Sequence, residues 1–221
     1  IENENVPLIL DNSINKHSLN KIIKSYEPKY LWLPLEKRND FQSYDEIFST
    51  MGYTLLRIKS NIKYKINNDL ALLLTTSGST GSPKFVKLSK DNILSNSISI
   101  SKYLSIDANE RPITTLPLSY SFGISIINSH LLMGATILLN EYSLFEKNFW
   151  DFLKSHKATS ISGVPYTFFI LDKLKFFDMD LPYLKTITQA GGKLDNILIK
   201  KITNYCMKNS KTFFVMYGQT E

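Results

Sequence analysis

The chain contains one stretch dense in glycine and hydroxyl residues, Thr75-Thr76-Ser77-Gly78-Ser79-Thr80-Gly81-Ser82-Pro83-Lys84. It begins where an apolar run, residues 69–75, ends, and this run has the length of a strand. Gly78 and Gly81 permit backbone conformations that other residues avoid, and they let a ligand approach the main chain. Successive N–H groups in such a turn form an anion-binding nest, to which Lys84 adds a mobile positive charge. The stretch therefore predicts a polyphosphate-binding loop directly after a strand.

Two other phosphate and nucleophile motifs do not fit this stretch. A Walker A loop needs Gly-x-x-x-x-Gly-Lys-Ser/Thr, whereas here the lysine follows Pro83 and precedes Phe85. A hydrolase elbow needs Gly-x-Ser-x-Gly, and the segment 78–81 is one residue short of it. The remaining alternative from the residues alone is an ordinary Ser/Gly surface turn.

Strand and helix patterns alternate along the chain. Strands are predicted at 6–10, 30–33, 53–58, 69–75, 85–88, 113–116, 135–139, 158–161, 184–188 and 212–216. Helices are predicted at 17–26, 90–104 with Ser89 as its cap, 122–133, 145–156, 164–174 and 195–205. Residues 40–50 are expected to form a short helix or loop, and residues 61–68 an edge strand or linker. This alternation predicts an α/β fold with layered, largely parallel sheets flanked by helices.

Four polar or glycine-bearing segments each follow a predicted strand. They are residues 76–84, 118–123, 189–193 and 217–221. In open α/β sheets, ligands bind outside the carboxyl ends of the strands. We therefore expect the four segments to lie on one rim and to build one site.

The glycine-rich stretch, followed by Tyr217-Gly218-Gln219-Thr220-Glu221, resembles the signatures of the adenylate-forming enzymes. This superfamily includes acyl- and aryl-CoA ligases, peptide-synthetase adenylation domains and luciferases. Phe85 departs from the pattern, since the family usually has glycine after the lysine. The resemblance covers nearly the whole chain but only part of the family's enzyme. It implies that residues 1–221 are a partial N-terminal AMP-binding domain, without the extreme N-terminal part, the ribose-binding segment and the C-terminal domain.

The resemblance implies roles for particular residues. Tyr217 would stack on adenine, Thr220 would bond the α-phosphate, and Glu221 would hold Mg²⁺. Catalytic roles would fall to Lys84, Thr220 and Glu221. The residues expected to bind the nucleotide are Thr76, Ser77, Gly78, Ser79, Thr80, Gly81, Lys84, Gly191, Gly192, Tyr217, Gly218 and Thr220.

The resemblance also implies an acid pocket, made of Tyr120, Phe122, Gly123 and Ala190. Amino-acid-activating members usually have an aspartate where this chain has Gly123, and that aspartate pairs with the substrate ammonium. Glycine at this position therefore argues against an α-amino acid as substrate. Two plainer interpretations stay open: Tyr120 as a core tyrosine, and the glycine pair after Ala190 as a simple strand-to-helix turn.

Composition limits the other function classes. The 26 basic residues against 20 acidic ones give a net charge of +6, without an arginine-rich block, so no nucleic-acid partner is expected. No apolar run approaches membrane-spanning length. The single Cys206 excludes an internal disulfide and suits a reducing compartment, so we expect a cytoplasmic protein and a buried thiol. The histidines His17, His130 and His156 lack metal-ligand spacing.

The implied reaction joins a small carboxylic acid to ATP, giving an acyl-adenylate and pyrophosphate. The acyl group would then pass to the thiol of CoA or of phosphopantetheine on an acyl carrier protein. The chain begins without an initiator methionine or a signal-like segment, so a longer parent protein is expected, and residues 1–221 alone are expected to be inactive. The alternative is a non-catalytic scaffold that binds a nucleotide or a partner, and nucleotide binding together with activity would discriminate the two.

Overall fold

The computed structural model describes residues 5–60, 62, 64–75 and 85–221. These residues divide into two compact units. The larger unit comprises residues 5–9, 68–75 and 85–221, and the smaller unit lies within residues 10–67. The predicted polyphosphate loop, residues 76–84, lies outside the described residues.

The strands and helices alternate along most of the chain. The strands are β1 (Leu8–Ile9), β2 (Tyr30–Pro34), β3 (Asp45–Thr50), β4 (Tyr53–Arg57), β5 (Leu70–Thr75), β6 (Phe85–Ser89), β7 (Pro112–Ile113), β8 (Ser160–Gly163), β9 (Thr186–Gln189) and β10 (Thr212–Val215). The α-helices are α1 (Lys16–Tyr26), α2 (Lys90–Tyr103), α3 (Ser121–Leu132), α4 (Lys147–Ser155), α5 (Pro165–Lys173) and α6 (Asn196–Lys208). Two 3₁₀ segments occupy Leu35–Phe41 and Phe176–Asp178.

A parallel sheet of four strands forms the centre of the larger unit. Its order is β10-β9-β8-β7, and every neighbouring pair is parallel. The main core packs helices α4, α5 and α6 against it, around the fully buried rings of Phe149, Phe168 and Phe176. The same unit holds a second sheet, in which β5 pairs parallel with β1 and antiparallel with β6. The α/β fold with layered sheets and flanking helices is thus confirmed.

Helix starts in the larger unit follow their sequence signals. Ser89 caps α2 in a reciprocal box, because its Oγ accepts from Asn92 N–H while the Asn92 side chain accepts from Ser89 N–H, both at 3.0 Å. Asp195 caps α6 by accepting from the N–H of Ile197 at 2.8 Å. The predicted cap at Ser89 is confirmed, and both helices begin within a residue of their expected starts.

The smaller unit contains α1 and an antiparallel sheet of order β2-β4-β3. Its core is formed by Leu19 and Ile23 of α1 together with Leu33, Phe41 and Leu56. The side chain of Asn15 caps α1 by accepting from Ser18 N–H at 2.8 Å. The buried face of α1 is formed by Leu19, Ile22 and Ile23.

Two expectations from the sequence were wrong. Residues 40–50 were expected to be a helix or loop, but Asp45–Thr50 forms strand β3. None of its residues is buried, so it lacks the alternation that reveals a strand, and it is held by a hairpin in which Met51 and Gly52 both have positive φ. Residues 135–139 were expected to be a strand, but only Leu138 makes an isolated bridge, to Ile113.

Candidate functional site

Three parallel strands end side by side at one edge of the central sheet. Gly163, the last residue of β8, lies opposite Gln189, the last residue of β9, which lies opposite Val215, the last residue of β10. Backbone hydrogen bonds continue past these ends, from Ala190 N–H to the Gly163 carbonyl at 3.2 Å and from Met216 N–H to the Gln189 carbonyl at 2.7 Å. The segments that begin at residues 164, 190 and 216 therefore share one rim.

Tyr120 and Gly191 are brought into direct contact at this rim. Gly191 has φ of +81°, and a Cβ built on it would lie 2.3 Å from the Tyr120 hydroxyl oxygen and 3.1 Å from Val164 Cγ1. Only glycine fits both the left-handed backbone and this close approach. The two residues were predicted to serve the same site, and the phenol of Tyr120 does lie against the backbone of the glycine turn.

Gln189 fixes the shape of the same turn. Its side chain is fully buried, and its Nε2 donates to the carbonyl of Gly192 at 2.8 Å and to that of Ala190 at 3.1 Å. Gln189 was not among the site residues predicted from the sequence. Its position at the end of a buried strand could have indicated this role, because a buried amide side chain needs hydrogen-bond partners close by.

The start of α3 explains Gly123 in steric terms. A Cβ on Gly123 would lie 2.3 Å from the Pro117 carbonyl oxygen and 3.1 Å from that of Leu116. Any side chain there would require the backbone to move. The absence of an aspartate at this position thus agrees with the local packing of α3 on the preceding loop.

Three of the four predicted acid-pocket residues, Tyr120, Phe122 and Ala190, meet in one apolar cluster. Phe122, Ile126 and Ala190 are buried, and Leu116, Tyr120 and Met216 pack against them. The rings of Tyr120 and Phe122 lie 6.5 Å apart, nearly edge to face. This group contacts both the start of α3 and the turn after β9, as a pocket at the rim requires.

The terminal segment joins the rim at the N-terminus of α3. Thr220 Oγ1 donates to Ser121 Oγ at 3.0 Å. The Tyr217 ring is 86% exposed, and its hydroxyl accepts from Gln219 Nε2 at 2.5 Å. Gly218 and Glu221 are exposed as well. A hydroxyl beside helix N–H groups suits an anion, and an open aromatic face suits a flat base.

Residues 76–84, which were predicted to bind polyphosphate, separate β5 from β6 in the sequence. Thr75, the last residue of β5, lies opposite Phe85, the first residue of β6. The residues of this segment predicted to bind the nucleotide, Thr76–Gly81 and Lys84, fall outside the described residues. Their roles stay predictions.

A small cavity lies behind the acid-pocket cluster, between α2, α3 and the central sheet. Its volume is about 20 Å³. Its wall includes the buried residues Ser129, His130, Ser160 and Thr188. Ser160 Oγ has no hydrogen-bond partner among the described residues. A space of this size holds about one water molecule.

His130 is a buried core residue rather than a surface one. Its Nδ1 lies 2.7 Å from the Ile126 carbonyl oxygen, to which it donates. Burial lowers the pKa of His130 below its usual 6.5, against smaller opposing effects of the Ile126 carbonyl and of Glu110. The imidazole is therefore held neutral in the folded chain.

We expect His130 to make stability depend on pH. As pH falls below about 6.5, the unfolded chain takes up a proton that the folded chain refuses, so the free energy of unfolding decreases until the lowered folded pKa is reached. His130→Gln should flatten this decrease between about pH 5 and 7 in urea unfolding. An equal slope in the wild type and in His130→Gln would contradict the assignment.

Other reactive groups in the described residues are structural. Cys206 is buried in α6, and burial raises the pKa of its thiol to about 11, as a core cysteine requires. Within residues 5–60, 62, 64–75 and 85–221, no group of three or more His, Cys, Asp or Glu side chains could hold a metal ion. In the same ranges, no helix is long and apolar enough to cross a membrane.

Comparison with known proteins identifies the family. The model of the AMP-binding enzyme family matches residues 7–221. The chain belongs to the AMP-binding enzyme family. The resemblance to adenylate-forming enzymes is thereby confirmed.

Relatives within this family agree with the match. The chain is 29% identical over 185 residues to the mouse (Mus musculus) mitochondrial medium-chain acyl-CoA ligase ACSF2, covering 80% of this chain and 30% of that protein. It is 28% identical over 159 residues to the 2-succinylbenzoate–CoA ligase of Bacillus velezensis, covering 72% of this chain and 31% of that protein. The chain thus spans less than a third of the length of these curated relatives.

A solved structure also matches the fold. The O-succinylbenzoate coenzyme A synthetase of Bacillus subtilis, in complex with AMP, has a TM-score of 0.58 at 27% identity, covering 69% of this chain and 30% of that one. The same synthetase has been solved with ATP and a magnesium ion.

Proposed function

We propose that the protein containing this chain activates a small carboxylic acid with ATP, forming an acyl-adenylate and pyrophosphate. The observation that carries this proposal is the rim where Tyr120 lies on Gly191 and Thr220 reaches the start of α3. Membership in the AMP-binding enzyme family supports it. Residues 1–221 would be part of the N-terminal AMP-binding domain of a longer chain.

The rim offers chemically suitable groups for the nucleotide. The exposed Tyr217 ring would stack on adenine, and the exposed glycines Gly191, Gly192 and Gly218 would let the nucleotide approach the main chain. Thr220 would hydrogen-bond the α-phosphate beside the N-terminus of α3. The segment from Thr76 to Gly81 would hold the outer phosphates by its N–H groups.

The reaction requires charge neutralisation. A carboxylate oxygen attacks the α-phosphorus, and the bond from that phosphorus to the bridging oxygen of pyrophosphate breaks. Both reactants are anions, so Lys84 would stabilise the charge that develops on the leaving pyrophosphate. Glu221 supplies the oxygen ligand that Mg²⁺ prefers, and the ion would neutralise phosphate charge when bound.

The acid would lie against Tyr120, Phe122, Gly123 and Ala190. Three of these residues share the apolar cluster at the rim, and Gly123 offers no carboxylate for an ammonium group. An acid without an α-amino group is therefore the proposed substrate. The acyl group would then pass to a thiol, from CoA or from a phosphopantetheine arm on an acyl carrier protein, in the cytoplasm.

Tyr217→Ala in the full-length protein should weaken adenine nucleotide binding by about 1–3 kcal/mol, the range of base stacking on an aromatic ring. The matched control is Tyr183→Ala. Tyr183 is also exposed, but it precedes β9 and therefore lies at the end of the strand away from the rim. Isothermal titration with ATP and with AMP measures both variants. An unchanged affinity in Tyr217→Ala would remove the stacking assignment.

The proposed function is tested by ATP–pyrophosphate exchange that depends on an added acid. Nucleotide binding without exchange, for any fatty or aryl acid offered, would favour the non-catalytic scaffold instead. Lys84→Ala is the informative variant, since it should slow exchange more than it weakens ATP binding.

A further inference from the structure

The space behind the rim is closed by side chains of the acid-pocket cluster. Phe122 and Ile126 lie four residues apart on one face of α3, and both are about 9% exposed. They pack with Ala190 and Met216, and three of these four, Phe122, Ile126 and Met216, also line the small cavity beyond. The cluster therefore forms a wall between the rim and the cavity.

The cavity is too small for an alkyl chain. Its volume of about 20 Å³ accommodates about one water molecule. A chain that passed the wall would have to displace the close-packed side chains of α2, α3 or the sheet. Displacements of this kind cost free energy because packed interiors adjust only partly.

The cavity also contains polar atoms whose hydrogen bonds an alkyl chain could not supply. Ser160 and His130 are among its lining residues. Ser160 Oγ is unpartnered, and the hydrogen bonds of His130 in the described structure involve only Nδ1. Methylene groups placed here would keep water from these atoms without replacing its hydrogen bonds.

We propose that Phe122, Ile126 and Met216 restrict the substrate to short acids, of the size of acetate to butyrate, and exclude medium and long alkyl chains. This inference rests on the proposed function, because it places the acid at the Tyr120–Ala190 rim. The cavity then holds a water molecule that serves Ser160 and His130, and the substrate ends at the wall.

Binding of non-reacting adenylate mimics tests the proposal separately from activity. Acetyl-, butanoyl-, octanoyl- and dodecanoyl-sulfamoyl adenosine are titrated into the full-length protein by calorimetry. We expect the butanoyl compound to bind at least about thirtyfold more tightly than the octanoyl compound. Equal or tighter binding of the octanoyl compound, or no binding of any, would overturn the inference.

A cavity-enlarging variant locates the restriction. Ile126→Ala should raise the octanoyl to butanoyl affinity ratio at least about tenfold, because it joins the rim to the cavity. Ile170→Ala is the matched control, since Ile170 on α5 is similarly buried and lies outside the cavity wall. If Ile126→Ala does not fold, Ile126→Val and the wild-type preference decide the question. An unchanged ratio in a folded Ile126 variant would place the restriction elsewhere.

Absence of exchange with any acid, together with tight binding of the butanoyl mimic, would refute the proposed function but retain the inference about chain length. Exchange that is fastest with octanoate would retain the function and refute the inference.

Discussion

Acid-dependent ATP–pyrophosphate exchange is expected from the full-length protein and is expected to be lost when residues 1–221 are assayed alone. The described residues supply an adenine platform at Tyr217 and a hydroxyl at Thr220. In the relatives compared above, the matching region is less than a third of the protein. Weak nucleotide binding by residues 1–221 is thus compatible with the absence of turnover.

The physical reason for the expected loss is orientation. Holding a carboxylate in line with the α-phosphorus, away from water, can lower the barrier by about 7–11 kcal/mol. The described part of the site is open, since the Tyr217 ring is 86% exposed and Glu221 is exposed as well. An open site leaves water around both anions and does not fix their approach.

The measurement is exchange with a panel of short fatty, aryl and amino acids, on the full-length protein and on residues 1–221. Full-length Lys84→Ala serves as the control for a site that binds ATP but reacts slowly. Robust exchange by residues 1–221 would show that they suffice for the reaction, and the orientation argument would be wrong.

The sequence predicted a shared rim because strand ends follow from local patterns and ligands bind at the carboxyl ends of parallel strands. The segments after β9 and β10 were each marked by glycine or an aromatic residue that follows a predicted strand. Their convergence then follows from parallel pairing, which brings Gly163, Gln189 and Val215 into neighbouring positions. Local patterns and parallel strand pairing were therefore sufficient to place these segments on one rim.

The contacts within the rim were not predictable in the same way. The Tyr120 hydroxyl lies against Gly191, and Gln189 donates to carbonyls of its own turn. Both contacts depend on strand register and side-chain packing, which local patterns do not determine. The same holds for His130, whose lowered pKa arises from burial between elements distant in sequence. Strand β3 was missed for the opposite reason, since its exposed residues carry no hydrophobic period.

The contact between Tyr120 and Gly191 predicts a strong energetic coupling between two residues 71 positions apart. Gly191→Ala should lower the free energy of unfolding by roughly 2–5 kcal/mol, from the left-handed backbone and from overlap with the tyrosine hydroxyl. Tyr120→Phe alone should have a small effect, because no hydrogen bond of its hydroxyl is present among the described residues. Gly218→Ala is the control, since a Cβ there meets no atom within 4 Å.

The double variant separates the two causes. In Gly191→Ala with Tyr120→Phe, the oxygen 2.3 Å from the new Cβ is gone and the nearest ring carbon lies at 3.5 Å, an ordinary contact. The strain at φ of +81° and the approach of Val164 remain, so the rescue should be partial, with a coupling of about 1–3 kcal/mol in urea unfolding. Strict additivity would mean that the phenol does not lie on the turn in solution. A positive coupling would instead establish that Tyr120 and the glycine turn at Gly191 form one packed unit. A substitution in either one would then change the shape of both.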